Sequence, residues 1–279
     1  MTTPLALGQK AIGNGAPTVV VAEIGINHGG DLEAAERLVR AAAAAGADAV
    51  KFQTYHTANR VPSGSPLFPL LRRCELSYEA QTHLKLLAES LGIAFFSTPF
   101  DQECADFLDD LGVPAFKLAS FDIVNRPLAR HVLAKGRLVI ASTGMASRSE
   151  VDAFVASATA ASAPLVLLHC ISAYPTPDDA AHLRVIDTLR SLYGVPVGYS
   201  DHTLGIEVPV LAVAAGAVMI EKHFTLDRSL EGPDHALSAD PAQLRALVAR
   251  ARAVERILGS DALGCREIEQ PIAPYRRFA

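Results

Sequence analysis

Tryptophan is absent from this chain, and only four cysteines occur in its 279 residues. Cys74, Cys104, Cys170 and Cys265 are far apart in the sequence, and no two of them form a C-x-x-C pair. This spacing argues against a zinc ribbon and against a disulfide framework, and it suits a reducing compartment. We therefore predict a core of aliphatic side chains in which phenylalanine is the main large residue.

Clustered positive charge and long apolar segments are also missing. The 25 lysines and arginines are outnumbered by 30 aspartates and glutamates, and no basic cluster indicates nucleic-acid binding. The most apolar longer segment, residues 209–220, is shorter than the roughly 18 residues that indicate a membrane span. Residues 1–10 lack the pattern of a signal peptide. The sequence thus predicts a cytoplasmic protein with no nucleic-acid partner and no membrane partner.

What the chain does contain is a regular alternation of two kinds of segment. Residues 18–22 form a continuous β-branched run, which is typical of a strand buried on both faces. From Asp31 the apolar side chains follow helical spacing, and Gly46 is a plausible helix end. The same strand–helix unit recurs along the chain. The predicted strands are residues 18–22, 49–53, 93–97, 115–119, 138–141, 165–169, 195–199 and 217–221.

Eight such units predict an α/β fold, a closed (β/α)8 TIM barrel that forms one catalytic domain over residues 1–279. Residues 259–279 are predicted to be a C-terminal tail, and the polar insertion at 54–76 is predicted to be a loop over one face. An open doubly wound sheet is the alternative. We favour the barrel because polar residues follow nearly every strand, and a barrel collects all strand ends at one mouth.

Two histidines at the ends of neighbouring strands are the first candidates for chemistry. His202 and His223 each follow a predicted strand, and each lies near a carboxylate, Asp201 or Glu221. Neutral imidazole is the commonest metal ligand, so the pair predicts a site for one divalent cation. A metal held by two protein side chains keeps open positions, as a Lewis acid needs.

Lysines and hydroxyl groups also collect at the predicted strand ends. Lys51 and Lys117, together with several serines and threonines, suit a ligand that carries a phosphate and a carboxylate. Each lysine could equally lie in the barrel interior and pair with Glu23 or Glu221. The sequence alone leaves both alternatives open.

Eight short motifs, in order along nearly the whole chain, resemble those of the sialic acid synthase family. Each motif alone is a weak signal, whereas eight in sequence are specific. They are residues 22–30 (AEIGINHGG), 50–54 (VKFQT), 97–101 (STPFD), 142–145 (STGM), 168–170 (LHC) with 174–175 (YP), 198–203 (GYSDHT), 221–227 (EKHFTLD) and 232–235 (GPDH).

This resemblance implies a transferase that condenses phosphoenolpyruvate with an N-acetylmannosamine-like aldose and releases phosphate. The product is a nonulosonic-acid-type 2-keto-3-deoxy acid. By the same resemblance, His202 and His223 hold a divalent metal that activates the aldehyde. Mn²⁺ is the expected ion, and Mg²⁺ and Co²⁺ are alternatives.

The resemblance also implies roles for the remaining site residues. Glu23 is the candidate acid–base residue, beside the catalytic lysines. The substrate contacts that the resemblance implies are Lys51, Thr98 and Lys117 with the carboxylate of phosphoenolpyruvate; Lys117, Ser120, Ser142, Ser172 and Ser200 with its phosphate; and Glu23, Gln53, Tyr174 and Asp234 with the acceptor sugar.

Two features depart from the family pattern. Typical members continue into a small antifreeze-like domain, from which an arginine of the partner subunit reaches the sugar. The chain ends at Ala279, so that domain is not expected here. Arg276, Arg277 or a separate protein could replace the missing arginine, or the acceptor could lack the amide. Asp122 follows Ser120 as in pseudaminic acid synthases, and the resemblance implies that it contacts a hydroxyl of the acceptor; Asp234, in contrast, is of the sialic type. The acceptor therefore stays open, and a homodimer is implied by the resemblance only.

Two other functions compete with this synthase. A metal-dependent 2-keto acid aldolase or lyase would use the histidine pair and leave the phosphate-side hydroxyls without a role. A non-catalytic sugar-phosphate-binding barrel would need neither Glu23 nor the metal.

Overall fold

The predicted alternation of strands and helices is present in the computed structural model, which describes residues 5–13 and 15–277. Eight parallel strands close into a barrel. The open sheet is wrong, because the last barrel strand pairs with the first, with Glu221 opposite Val21 and His223 opposite Glu23. The predicted (β/α)8 TIM barrel is thus confirmed.

The elements are numbered in chain order. The strands are β1 (Leu5–Leu7), β2 (Lys10–Ile12), β3 (Val19–Gly25), β4 (Ala49–Thr54), β5 (Ala94–Pro99), β6 (Ala115–Leu118), β7 (Leu138–Ser142), β8 (Leu165–His169), β9 (Val197–Asp201) and β10 (Met219–His223). The α-helices are α1 (Leu32–Ala45), α2 (Thr57–Arg60), α3 (Phe68–Cys74), α4 (Tyr78–Ser90), α5 (Gln102–Asp110), α6 (Arg126–Leu133), α7 (Arg148–Ala160), α8 (Val185–Tyr193), α9 (Glu207–Ala214) and α10 (Pro241–Leu258).

An antiparallel hairpin that the sequence analysis did not predict precedes the barrel. β1 pairs with β2, from Leu5 opposite Ile12 to Leu7 opposite Lys10. Leu7 and Ile12 are buried in one apolar cluster with Val19 and other residues at the start of the barrel strands. The hairpin therefore closes the amino-terminal end of the barrel and leaves the carboxyl ends of the strands as the mouth.

The insertion at 54–76 is not a simple loop, because it contains α2 and α3. Its prolines suggested an irregular segment, yet Pro69 lies in the first turn of α3. Proline is tolerated there because the first-turn N–H groups have no partner within the helix. Tyr55 holds this segment to the barrel rim, since its hydroxyl donates to the carbonyl of Leu71 at 3.0 Å.

Two apolar layers hold the barrel together. Side chains alternate along a strand, so one set points inward and the next points toward the helices. Val21, Ala49 and Phe96 belong to the inner layer, whereas Val20 and Val50 pack outward against the helices. This alternation is maintained to the mouth, where the inner layer becomes polar.

The remaining described parts are short. Residues 259–277 follow α10 as an exposed segment with two 3-10 turns, and residues 278 and 279 of the predicted tail lie outside the described part. Among the helices formed by the described residues, none combines the length and apolar character that a bilayer crossing requires.

Candidate active site

A cavity of about 550 Å³ opens at the carboxyl ends of the barrel strands. Of the residues that the sequence analysis assigned to the site, Asp122 and Ser172 do not line this cavity. Those that do are Glu23, Lys51, Gln53, Thr98, Lys117, Ser120, Ser142, Tyr174, Ser200, His202, His223 and Asp234. Glu221 lines it as well. The fold therefore brings together residues as far apart in the sequence as Glu23 and Asp234.

Strand register explains this convergence. Glu23 lies opposite Lys51 on β4 and opposite His223 on β10, and Glu221 lies opposite Ser200 on β9. All five side chains occupy inward-facing positions, with Glu221 at the level of Val21 and His223 two residues nearer the mouth. Any strand that slipped by one residue would turn its functional side chain toward the helices instead.

Both lysines are paired with carboxylates and also line the cavity. Lys51 Nζ lies 3.1 Å from Glu23 Oε2 and 3.6 Å from Glu221 Oε1. Lys117 Nζ lies 3.6 Å from the same Glu221 oxygen. The sequence left open whether each lysine pairs with a carboxylate in the interior or contacts a ligand. In the structure each lysine is paired and also lines the cavity, so one role does not exclude the other.

The two carboxylates have very different pKa values. Burial raises the pKa of Glu23 to about 7; the charge of Lys51 opposes this rise and that of Glu221 adds to it. Burial would also raise the pKa of Glu221, but the charges of Lys117 and Lys51 outweigh it and lower the value to about 2. Glu23 is therefore able to gain or lose a proton near neutral pH, whereas Glu221 stays ionised.

Hydroxyl groups surround the lysines. Lys51 Nζ donates to Thr98 Oγ1 at 3.3 Å, and Lys117 Nζ donates to Ser142 Oγ at 2.6 Å. Ser200 Oγ donates to Glu221 Oε1 at 3.0 Å. The buried hydroxyl of Ser172 has no hydrogen-bond partner among the described residues. A buried hydroxyl without a partner is costly, so this side of the cavity is suited to a polar ligand.

Gly144 leaves space among these hydroxyls. A Cβ at this position would lie 2.5 Å from Ser172 Oγ and 2.8 Å from both Cys170 Sγ and Ser120 Oγ. Cys170 also lines the cavity, and its Sγ lies 3.1 Å from Ser120 Oγ. Gly144 belongs to the motif at residues 142–145, but its role in keeping this space open is visible only in the fold.

The two histidines face each other across the other side of the cavity. Their ring centroids are 5.6 Å apart. His202 Nδ1 lies 2.8 Å from the carbonyl oxygen of Ile171, which makes Nδ1 the donor and leaves Nε2 as a free acceptor. His223 Nδ1 is buried without a hydrogen bond, and the nearest carboxylate oxygen, of Asp234, is 3.7 Å away.

Both imidazoles are neutral at physiological pH. Burial lowers the pKa of His202 to about 4, and the nearby His223 ring adds to this effect. Burial and the charge of Lys51 lower the pKa of His223 to about 3. Metal ligation requires the neutral form. Within residues 5–13 and 15–277, no set of three or more histidine, cysteine or acidic side chains is arranged to hold an ion, so these two rings stand as a pair.

The rest of the cavity wall comes from the insertion and the last loop. α3 contributes Leu70 and Leu71, and α2 contributes Arg60, whose Nη1 donates to Gln53 Oε1 at 2.9 Å. Sequence reasoning missed these residues because the insertion carries no motif and was predicted to be an irregular loop. Tyr174 lies beside the histidines, with its ring centroid 4.2 Å from that of His202.

Asn27 and His28, which follow Glu23 in a glycine-rich turn, hold that turn in place. His28 Nε2 lies 3.1 Å from the carbonyl oxygen of Gly25. Asn27 Nδ2 donates to the carbonyl of Phe224 and to Ser238 Oγ. The Asn27 amide therefore ties the β3 turn to the last loop, beside the end of β10.

A buried ion pair supports the histidines from the outer side of the strands. Lys222 Nζ donates to Asp201 Oδ2 at 2.6 Å and to the carbonyl of Thr203 at 2.9 Å. The side chains are 1% and 0% exposed, respectively. Lys222 precedes His223 and Asp201 precedes His202, so the pair fixes the two histidine-bearing strand ends relative to each other.

We expect Lys222→Met to lower the free energy of unfolding by about 3–5 kcal/mol, because it leaves the carboxylate of Asp201 buried without its cation. Urea denaturation of both proteins measures the change. Arg148→Met is the matched control, since Arg148 pairs with Asp152 at the surface and should show no measurable change. A loss for Lys222→Met no larger than that of the control would contradict the expectation.

Comparison with known proteins agrees with this architecture. Residues 38–262 match the model of the NeuB family. The chain is 43% identical to the N,N'-diacetyllegionaminic acid synthase of Legionella pneumophila, over 95% of this chain and 80% of that protein. It is 36% identical to the human N-acetylneuraminate-9-phosphate synthase, over 89% of this chain and 73% of that protein.

A solved structure is similar over nearly the full length. The N-acetylneuraminic acid synthetase of Leptospira borgpetersenii, crystallised with citrate, has a TM-score of 0.95 and 41% sequence identity. The alignment covers 99% of this chain and 97% of that one. With a family match over more than half of its residues and relatives above 30% identity, the chain belongs to the NeuB family.

Proposed function

We propose that this protein is an enzyme that condenses phosphoenolpyruvate with an amino-sugar aldose to give a 2-keto-3-deoxy acid and phosphate. The single observation that supports this most is the division of one cavity into two chemically different sides. Two lysines and a ring of hydroxyls lie on one side, and two neutral imidazoles face them. The named NeuB relatives are synthases of nonulosonic acids, which agrees with this division.

Phosphoenolpyruvate fits the lysine side. Lys117, Ser142 and Ser120 line the cavity and offer donors to a phosphate. Ser200 would join them by exchanging its hydrogen bond to Glu221, and Ser172 by turning its buried, unpaired hydroxyl toward the cavity. Lys51 and Thr98 are adjacent and suit the carboxylate. Lysine binds an anion as a point charge, and serine and threonine add directed hydrogen bonds.

A divalent metal, with Mn²⁺ as the preferred ion and Mg²⁺ or Co²⁺ as alternatives, fits the histidine side. The free Nε2 of His202 and the unsatisfied Nδ1 of His223 are neutral nitrogens that lack protein partners. His202 and His223 would hold the ion, and substrate and solvent would complete its shell. When bound, a divalent cation supplies Lewis acidity toward the carbonyl oxygen of the acceptor.

The protein's own residues supply positioning and proton transfer. Lys51 and Lys117 hold phosphoenolpyruvate so that its enol carbon can form the new bond to the aldehyde carbon. Water then adds to the phosphate-bearing carbon, and phosphate leaves from that carbon to give the ketone. Glu23, whose pKa of about 7 allows it to exchange protons, is the group that removes a proton from the water or gives one to the former aldehyde oxygen to form the new hydroxyl.

Gln53, Tyr174 and Asp234 lie on the remaining part of the wall and face the acceptor. Asp122 lies outside the cavity lining. Its carboxylate accepts a hydrogen bond from Asn125 at 3.1 Å, so contact with the acceptor would need a ligand that extends beyond the cavity. A cytoplasmic location and a homodimeric assembly remain predictions from the sequence.

A phosphate-release assay tests the proposed function. We expect release from phosphoenolpyruvate to require both an aldose acceptor and Mn²⁺, with a product of mass equal to acceptor plus pyruvate. Cleavage of a 2-keto acid without phosphoenolpyruvate would instead indicate an aldolase. Ligand binding with no turnover under any condition would indicate a non-catalytic barrel.

A further inference from the structure

Arg60 is the one cavity-lining cation, among the described residues, that lies away from the lysine side. It is the last residue of α2, in the insertion that no motif covers. Its guanidinium carbon lies 3.7 Å from the ring centroid of Phe100 and 4.5 Å from that of Tyr55. These two rings meet edge to face, so the guanidinium rests on a rigid aromatic platform.

The hydrogen bond from Arg60 also fixes the orientation of Gln53. Arginine has donors and no acceptor, so the Gln53 side chain must present its oxygen to Arg60, at 2.9 Å from Nη1. The amide nitrogen of Gln53 is then left to donate to a ligand. Arg60 and Gln53 together form a short row of N–H donors on the acceptor side.

No carboxylate oxygen in the described part of the chain lies within 4.0 Å of this guanidinium. The charges of Asp122 and Asp234 nevertheless act on it from further away. Arg60 is thus a half-buried guanidinium with N–H groups to spare, and two carboxylates lie in its wider surroundings.

We propose that Arg60 binds an amide carbonyl of the acceptor and selects an acetamido aldose that carries no phosphate. This assignment rests on the proposed function. An amide oxygen accepts from the guanidinium without bringing charge toward Asp122 and Asp234. A phosphate would bring a dianion toward two carboxylates, and the nearby Lys51 and Lys117 are already paired with Glu23 and Glu221.

The apolar part of the same wall favours the same class of acceptor. Leu67 and Phe121 line the cavity and are 53% and 64% exposed. Leu70 lines it as well and belongs to the apolar cluster of Tyr55 and Phe100, on which Arg60 packs. Exposed large apolar side chains inside a cavity are suited to the methyl groups of acetamido or deoxy substituents. Among the described residues that line the cavity, the lysines and arginines other than Arg60 are Lys51 and Lys117.

The test uses selectivity, because a purely structural role of Arg60 would lower turnover of all acceptors alike. N-acetylmannosamine, a 2,4-diacetamido hexose, mannose and N-acetylmannosamine 6-phosphate are compared as acceptors by phosphate release from phosphoenolpyruvate. For the wild type we expect kcat/KM to be higher for the acetamido sugars than for mannose and for the 6-phosphate. For Arg60→Met we expect the preference for acetamido sugar over mannose to fall by about 10- to 100-fold, with the KM of phosphoenolpyruvate unchanged.

Two further variants make the result decisive. Arg60→Lys keeps the charge and loses the planar guanidinium, so its preference for acetamido sugar over mannose should lie between those of the wild type and Arg60→Met. If Arg60→Met does not fold, Arg60→Lys takes its place in the test. Arg40→Met, at an exposed arginine of α1, should behave as the wild type.

Several outcomes would overturn the proposal. An unchanged acetamido preference in Arg60→Met, or a wild-type preference for the 6-phosphate, would refute the role of Arg60 while the proposed condensation stands. No phosphate release with any acceptor would refute the condensation, and this role with it.

Discussion

Replacing His223 with alanine is expected to lower phosphate release from phosphoenolpyruvate by about 10³-fold or more. Lewis-acid stabilisation of a developing oxyanion is worth several kcal/mol, and each 1.36 kcal/mol corresponds to a factor of ten in rate. The site has two imidazoles and, among the described residues, no third ligand of the same kind. Loss of either ring would therefore remove one of the two proposed protein ligands of the ion.

Binding of Mn²⁺, followed by electron paramagnetic resonance, separates loss of the ion from loss of the fold. We expect Mn²⁺ affinity to fall by more than about 100-fold in His223→Ala, since changes to groups that merely support a ligand already cost 10–100-fold. His83→Ala is the matched control, because His83 is half exposed on α4 and contacts Glu36 at the surface. Unchanged Mn²⁺ affinity in His223→Ala would remove this histidine from the metal site.

Glu23→Gln is expected to lower kcat by about 10²–10⁴-fold, which is the usual contribution of a positioned acid–base group. The substitution keeps the shape of the side chain and removes its ability to exchange a proton. Since Glu23 is buried beside Lys51, loss of its charge also changes the ion pair, so rate alone does not identify the role.

The pH dependence identifies it. If Glu23 acts as a base, its deprotonated form is the active one, and kcat/KM of the wild type should rise with pH through about 7. This rise of kcat/KM with pH should disappear in Glu23→Gln. It should persist in the control Glu33→Gln, at an exposed position of α1. A wild-type limb that falls with rising pH would assign the acid role to Glu23, and a profile without a limb near 7 would remove Glu23 from proton transfer.

The fold followed from local patterns in the sequence. Apolar β-branched runs alternating with helical spacing identified all eight barrel strands, because strand and helix periodicities are short-range properties of the chain. In a closed barrel of parallel strands all carboxyl ends lie at one mouth, so the polar residues at the predicted strand ends could be assigned to one site. Glu23, Lys51, His202 and His223 were found in this way.

Tertiary structure decided what depends on contacts between distant segments. The pairing of Lys51 and Lys117 with Glu221 lowers the pKa of that carboxyl, whereas burial raises the pKa of Glu23, and both effects depend on barrel closure. Arg60 faces the cavity because α2 folds over the rim and its guanidinium packs on Phe100. Gly144 matters because Ser120, Cys170 and Ser172 approach it from the loops that follow β6 and β8.

The sequence by itself thus determined the barrel, the order of its strands and the residue types at its mouth. Tertiary structure alone decided which of those residues are paired, which are left unsatisfied, and which side of the cavity each faces. The physical reason is the separation along the sequence over which each property is set. Side-chain periodicity is set within a few residues, whereas burial, charge pairing and pKa shifts arise only when segments far apart in the sequence come into contact.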